Sequence, residues 1–242
     1  AAVMVVQTDT ASGITSDLLA IREAIDRTGH PALYVVDVVA SLGATTFDMD
    51  ALRADVCLGS SQKGLMMPPG LGFVAANSKA FAWSLQHAKP RFYWSWQERK
   101  TDNQSAKFCG TPPLAHLAGL EVSLGLLKAE GLEAVFARHH RLGGAVQAAV
   151  RCWSTAGTLK LHCKDPLGFS SSVTAVEVSQ GIDPEALRVV ARERFQVAMA
   201  GGLGPLAGRV FRIGHLGDMN EPMILGALAG IEAAMTVQKI PY

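Results

Sequence analysis

Three side chains in this 242-residue chain stand where they could do chemistry: Lys63, Asp37 and Arg212. Lys63 lies in Gly59-Ser60-Ser61-Gln62-Lys63-Gly64, a small-residue turn fed by an apolar run at 56–58 and followed by Pro68-Pro69-Gly70. A lysine on a tight turn at the end of a buried strand has little freedom and is partly desolvated, which favours a nucleophilic amine over a solvated surface charge. Upstream, Leu33–Asp37 reads as a second buried strand, apolar up to a carboxylate at its C-terminal end. Ligands of open parallel sheets bind beyond the carboxyl ends of the strands, so Asp37 and Lys63 are expected to face one crevice. Arg212 closes the otherwise apolar Val210-Phe211-Arg212-Ile213. A guanidinium there is costly unless it meets a carboxylate, which its planar fork can hold through two bonds.

One cofactor requires the first pair. Pyridoxal phosphate takes a lysine for its Schiff base and commonly an aspartate at its pyridine nitrogen, which keeps the ring an electron sink. A nucleotide phosphate loop fails on spacing, because it places Gly directly before the lysine and Ser or Thr directly after it, where this chain has Gln62 and Gly64. His139 and His140 are adjacent rather than one helical turn apart, so they form no helical metal pair and read as a solvated face. His215 reads as structural, since Lys63 already fills the need for a base. Gly201-Gly202-Leu203-Gly204 has no helix after it and is no dinucleotide fingerprint; it reads as a place where backbone approaches closely.

Positioning these groups takes a sheet and the helices that cover it. Residues 3–6 read as a buried strand, followed by a polar loop at 7–13 and a helix capped by Ser16-Asp17 with apolar positions Leu18, Leu19, Ile21, Ala24 and Ile25. Leu33–Asp37 completes a βαβ unit. A short helix at 49–53, a strand at 56–58 and a strand at Gly72–Ala76 extend the α/β order with a mostly parallel sheet. A helix is expected at 79–88, and 90–110 reads as a long aromatic, charged loop with a functional or interfacial role. Thr111-Pro112-Pro113 opens a helix reaching 127, and 131–153 reads as another. Beyond it come strands at 159–163 and Val173–Val178, a helix at Pro184–Phe195, strands at 197–200 and 209–213, and a helix at 220–237. This order places a domain boundary near residue 130, with 1–130 as one domain and 131–242 as a smaller α+β domain.

Net charge is +1, from 22 basic and 21 acidic residues, so no field draws nucleic acid or an anionic membrane, and neither partner is expected. With 18% charged and 49% hydrophobic residues, the surface is apolar enough to suggest burial in an oligomer. Cys57, Cys109, Cys152 and Cys163 fall at no metal-ligand spacing and read as free thiols in a reducing compartment, which sets a cytoplasmic expectation. No apolar run is long enough to span a bilayer. The first residues have no charged start and no cleavage-type region, so they are expected to be a strand from the middle of a protein rather than a signal peptide.

Separated motifs agree in order with one family. Thr8-Asp9-Thr10-Ala11-Ser12-Gly13, Val36-Asp37-Val38-Val39-Ala40-Ser41-Leu42-Gly43, the Lys63 turn with Pro68-Pro69-Gly70, and Phe211-Arg212-Ile213-Gly214-His215-Leu216-Gly217 make the chain resemble the fold-type I, class V pyridoxal-phosphate aminotransferases. The branch is that of the alanine–, serine– and aspartate–glyoxylate enzymes, and the likeness runs across essentially all of the chain. It implies that 1–130 is the C-terminal half of a large cofactor-binding domain and that family members carry a further segment before it. It implies that Lys63 condenses with the cofactor and shuttles a proton, and that Asp37 pairs with the ring nitrogen. Val39 would pack on the ring, Thr10 would lie near its 3-hydroxyl, and Gln62 would bond the phosphate. Arg212 would hold the substrate α-carboxylate, and Thr111 would reach the neighbouring cofactor phosphate across a homodimer interface. The implied reaction is ping-pong transamination between serine, alanine or aspartate and a 2-oxo acid such as glyoxylate. Two positions depart from the pattern: Phe108 where a tyrosine is expected, and Gln7 where a histidine is usual. The competing readings are a cysteine desulfurase of the same class, for which Cys109 is the candidate thiol, and a truncated dimerisation or binding module.

Overall fold

The computed structural model describes residues 1–87, 89–108 and 110–242, with the side chains of residues 104 and 105 outside that description. Short apolar runs build the first sheet: β1 (Ala2–Val6), β4 (Leu33–Asp37) and β5 (Val56–Ser60) run parallel, and β6 (Gly72–Ala76) returns antiparallel beside β5. Val6 pairs with Asp37 and Asp37 with Leu58, so the parallel strands end at one level. Period-two alternation sorts their side chains. Tyr34, Val36 and Val38 pack with Leu18 and Ile25 of α1 (Leu18–Arg27). On the other face, Leu33 and Val56 pack with Ala80 of α2 (Ser78–Gln86), with Val35 and Leu58 alongside. Asp37 shares this second face. The Asp17 carboxylate caps α1 by accepting from Ala20 N at 2.9 Å. The buried Asp55 carboxylate ties β4 to α2, accepting from Tyr34 N (2.8 Å), Asn77 Nδ2 (2.9 Å) and Lys79 Nζ (2.9 Å).

Between β1 and α1, β2 (Thr8–Asp9) and β3 (Ile14–Thr15) form a small hairpin. After α2 the chain passes through a 3₁₀ turn at Phe92–Trp94, the short α3 (Trp96–Arg99) and a 3₁₀ turn at Gln104–Lys107, then enters α4 (Leu114–Glu130). The expected irregular stretch at 90–110 is therefore a chain of helical turns. Arg99 gathers them: its guanidinium donates to the Ala106 and Phe108 carbonyls at 2.8 Å each and to that of Phe92 at 3.2 Å.

Gly131, at φ +87°, turns the chain into α5 (Leu132–Trp153). The second sheet, in the order β7-β8-β10-β9, is antiparallel throughout: β7 (Leu159–Leu161), β8 (Val173–Val178), β10 (Val210–Gly214) and β9 (Ala200–Gly201). It is covered by α5, α6 (Pro184–Phe195) and α7 (Glu221–Val237), whose Leu142, Val146, Val150, Leu187, Ile224 and Ile231 close on Val176, Phe211 and Ile213. Buried positions on α5 recur every three or four residues, the spacing of one helical face. Among the described residues, no helix is long and apolar enough to cross a membrane.

Several local expectations give way. Residues 49–53 are turns rather than a helix: Asp48 accepts from the amides of Asp50 and Ala51 at 2.9 Å each, and Arg53 sits in the left-handed region at φ 49°. The strand expected at 197–200 is confined to Ala200–Gly201, because α6 ends in a left-handed Gln196 and Val197 N still bonds back to Ala191 O. On α1, Leu19 is exposed and Arg22 takes the buried position, its guanidinium lying over the Tyr34 ring. His139 is fully buried rather than solvated, and only His140 faces water.

Candidate active site

Beyond the ends of the parallel strands, the turn after β5 is pressed against the turn after β4. A Cβ on Gly64 would collide with the Leu42 carbonyl oxygen, and one on Gly43, at φ +78°, would lie 2.9 Å from Gly64 O. Only two glycines allow that backbone contact, and it sets Lys63 beside the segment carrying Asp37 and Val39. Ser61 locks the Lys63 turn: its hydroxyl donates to Pro68 O (2.8 Å) and accepts from Leu71 N (3.2 Å). Met66 N bonds Lys63 O at 2.9 Å. Lys63 is half-buried and Gln62 exposed. Among the described residues, no hydrogen bond or ion pair engages the Lys63 amine.

Asp37 is half-buried, and its Oδ1 accepts from Val39 N at 2.8 Å. Its Oδ2 accepts no bond among the described residues, so one carboxylate oxygen is fixed and the other is available. Gln7, in place of the usual histidine, is buried; its amide accepts from Ser41 Oγ (2.6 Å) and donates to Thr46 O (3.0 Å). Gln7 N also donates to Asp37 O at 2.8 Å. The end of β1 is thereby tied to the loop that follows Asp37.

The β2–β3 hairpin carries Thr10 onto the second sheet. A Cβ on Gly13, at φ +68°, would lie 3.0 Å from Val173 O and 3.1 Å from Ala175 N of β8, and Ile14 forms a bridge with Phe169. There the Arg212 guanidinium, 8% exposed, donates through Nη1 to Thr10 O at 2.8 Å and through Nε to Gly201 O at 2.7 Å. Its Nη2 donates to nothing, and no carboxylate pairs with it, among the described residues. Burial and the nearby Arg188 charge lower the Arg212 pKa from its ordinary value, against the pull of Asp9. Gly202 follows the carbonyl that Arg212 holds, and a Cβ there would collide with Leu206 O, which fits the expected close backbone approach.

The loop after β10 closes the far side. Gly217 lies against Met66, next to the Lys63 turn, and Arg138 donates to Gly217 O (2.8 Å) and Met219 O (2.9 Å). His139 Nε2 accepts from Gly217 N at 2.9 Å while Nδ1 bonds Val135 O at 2.7 Å, which fixes a neutral tautomer. His215 bonds Thr174 Oγ1 (3.0 Å) and Ser171 O (3.1 Å), and burial pushes its pKa down to about 4, so it is a neutral strut, as its sequence context suggests.

Lys63, Asp37, Val39, Thr10 and Arg212 thus stand on segments that touch or are hydrogen-bonded to one another. Thr111 is exposed at the start of α4, and no hydrogen bond joins it to the others among the described residues. Ser60 was missed in the sequence: its Oγ is buried with no partner among the described residues, on the β5 face that also presents Val56 and Leu58. Period-two alternation from Val56 was the signal that could have found it. Among the described residues, an unengaged amine, a carboxylate oxygen with no donor, a hydroxyl with no partner and a buried guanidinium with no carboxylate are the groups that a pyridine aldehyde and an α-amino acid call for. Thiol chemistry is less well served: burial, then the Asp37 charge, pushes the Cys57 thiol up, and burial does the same to Cys163. Cys109, the thiol considered for sulfur transfer, lies outside the described residues.

Residues 1–206 match the family described as aminotransferase class-V. The chain is 43% identical, over 97% of its own length and 58% of the other protein's, to a serine–glyoxylate aminotransferase of Methylorubrum extorquens. It is 39% identical to an L-aspartate–glyoxylate aminotransferase of Paracoccus denitrificans, covering 99% of this chain and 59% of that protein. The crystal structure of a ureidoglycine–glyoxylate aminotransferase from Bacillus subtilis superposes with a TM-score of 0.85 at 29% identity, over 98% of this chain and 60% of that one. The chain therefore spans rather less than two thirds of the length of the proteins it matches.

Proposed function

Because the chain belongs to the class V aminotransferase family, we propose that it carries the lysine, ring-nitrogen and carboxylate sites of a pyridoxal-phosphate transaminase acting on a small amino acid and glyoxylate. What supports this reading is that, among the described residues, the Lys63 amine makes no hydrogen bond or ion pair, one Asp37 oxygen accepts none, and the buried Arg212 has no carboxylate partner, on segments joined by close backbone contacts and hydrogen bonds. Pyridoxal phosphate, when bound, supplies an electron sink that lets an amino group leave one carbon skeleton and join another.

The chain's own residues divide the remaining work. Lys63 Nζ anchors the cofactor and is the base for the proton on the substrate Cα. Asp37 Oδ2 would accept from the ring nitrogen, while Val39 N holds Oδ1 in place. The Val39 side chain would pack on the ring, Thr10 would lie by its 3-hydroxyl, and Ser60 and Gln62 would offer donors at the end of β5. Arg212 receives the substrate α-carboxylate through Nη2, and its other donors stay on Thr10 and Gly201. A second carboxylate group is not needed for that bond, so serine, alanine and aspartate all satisfy it. Thr111, exposed at the start of α4, serves a second copy of the chain in a homodimer. Residues 1–130 form the cofactor half and 131–242 the smaller domain that brings Arg212 to it.

Supplying the chain with pyridoxal phosphate, serine and glyoxylate tests the proposal. Glycine and the oxo acid of serine should form together, and Lys63→Ala should abolish both. Equal formation by the variant would overturn the assignment.

A further inference from the structure

We propose that Asp9 is a positioning residue for Arg212: it folds the 9–13 turn so that the Thr10 carbonyl meets the guanidinium and leaves Nη2 aimed outward. The inference rests on the reading of Arg212 as the substrate-carboxylate cation.

Among the described residues no hydrogen bond or ion pair joins Asp9 to Arg212; what Asp9 holds is the turn. Its carboxylate accepts from Ala11 N (3.2 Å), Ser12 N (3.0 Å) and Ser12 Oγ (2.5 Å), and its own carbonyl accepts from Gly13 N at 2.8 Å. This is a side chain mimicking backbone to close a loop, and it leaves residue 10 at the tip with its carbonyl free of intraloop bonds. The far end of the turn is pinned independently, by Gly13 on the β8 backbone and by the Ile14 bridge to Phe169. With both ends fixed, the direction of the Thr10 carbonyl depends on the Asp9 bonds. That carbonyl is one of two acceptors orienting Arg212, the other being Gly201 O on β9.

Charge adds to shape. Burial works against ionising Asp9, yet the Ser12 hydroxyl, the Ala11 and Ser12 amides and the Arg212 charge hold its carboxyl below the usual range. Asp9 is thus an anion close enough to favour the charged guanidinium, but committed to the turn and unable to compete for Nη2. A carboxylate paired directly with Arg212 would block substrate; one held a few bonds away supports the cation and leaves its outer edge open.

The test follows the Arg212 Nε–H resonance in the full chain as glyoxylate is added. In the wild type the resonance should shift and saturate. Asp9→Asn keeps one acceptor oxygen, which can serve the Ala11 amide or the Ser12 pair but not both, and loses the charge; it should weaken glyoxylate binding about tenfold and move the ligand-free Arg212 signal. Ser12→Ala should weaken binding two- to threefold. The Ile14 amide, which reports the pinned end of the hairpin, should stay in place in both variants. A saturating wild-type shift with unchanged affinity in both variants would overturn the Asp9 assignment alone. No saturable shift in the wild type would overturn the carboxylate reading of Arg212 and this inference with it.

Discussion

Replacing Arg212 with leucine separates what the guanidinium does for the fold from what it does for a substrate. Among the described residues it makes two bonds, to Gly201 O at 2.7 Å and Thr10 O at 2.8 Å. Bonds of a charged donor are worth about 1.5–3 kcal/mol each. Against them stands the cost of burying a cation with no paired carboxylate, which is also several kcal/mol. The two nearly cancel, so Arg212→Leu should change unfolding free energy by no more than about 2 kcal/mol in either direction. The bound substrate is a different case. Removing one partner of a desolvated carboxylate–guanidinium pair costs about 3–5 kcal/mol, or roughly 150- to 5,000-fold in kcat/KM for serine. The assay pairs serine with ethanolamine, which lacks the carboxylate, and adds urea unfolding of both proteins. The loss should appear with serine and be absent with ethanolamine. An equal loss with both amines, or destabilisation above about 4 kcal/mol, would refute the reasoning by making Arg212 a structural residue.

Gly64→Ala places a methyl group against the Leu42 carbonyl; it should destabilise by about 1–3 kcal/mol and weaken pyridoxal-phosphate binding, measured by calorimetric melting and by cofactor absorbance after gel filtration. Burial lowers His215 from an ordinary 6.5 to about 4, so the unfolded chain binds this proton where the folded one does not. Stability should therefore be fully present above pH 6.5 and fall by roughly 3 kcal/mol toward pH 4, in the same direction as the lowered pKa of His139. Urea midpoints at neutral pH and near pH 4.5 check this: His215→Gln should flatten the slope, and an unchanged slope would contradict it.

The residues with chemistry were legible because each breaks a pattern. Asp37 ends an apolar strand and Arg212 interrupts one, so their types stand out against the alternation that buries their neighbours. Helix starts were legible too: Asp17, Asp183 with Pro184, and Asn220 are residues that accept orphan amides at helix N-termini. Contacts made far along the chain were not. Gly64 signals a close approach but not that Gly43 is on the other side. Nothing local to Thr10 says that its hairpin crosses to β8. His139 looks like its neighbour His140, and only the packing of α5 against the loop holding Gly217 decides which of them is buried. At 49–53 a short helix was expected, and the Asp48 side chain offered the backbone a competing turn.

Borohydride reduction of the chain mixed with pyridoxal phosphate, followed by peptide mass analysis, addresses the central claim. The cofactor mass should be found on the peptide containing Lys63, and Asp37→Asn should reduce the labelled fraction at limiting cofactor. Labelling spread over exposed lysines such as Lys79 and Lys160, with none on Lys63, would contradict the account.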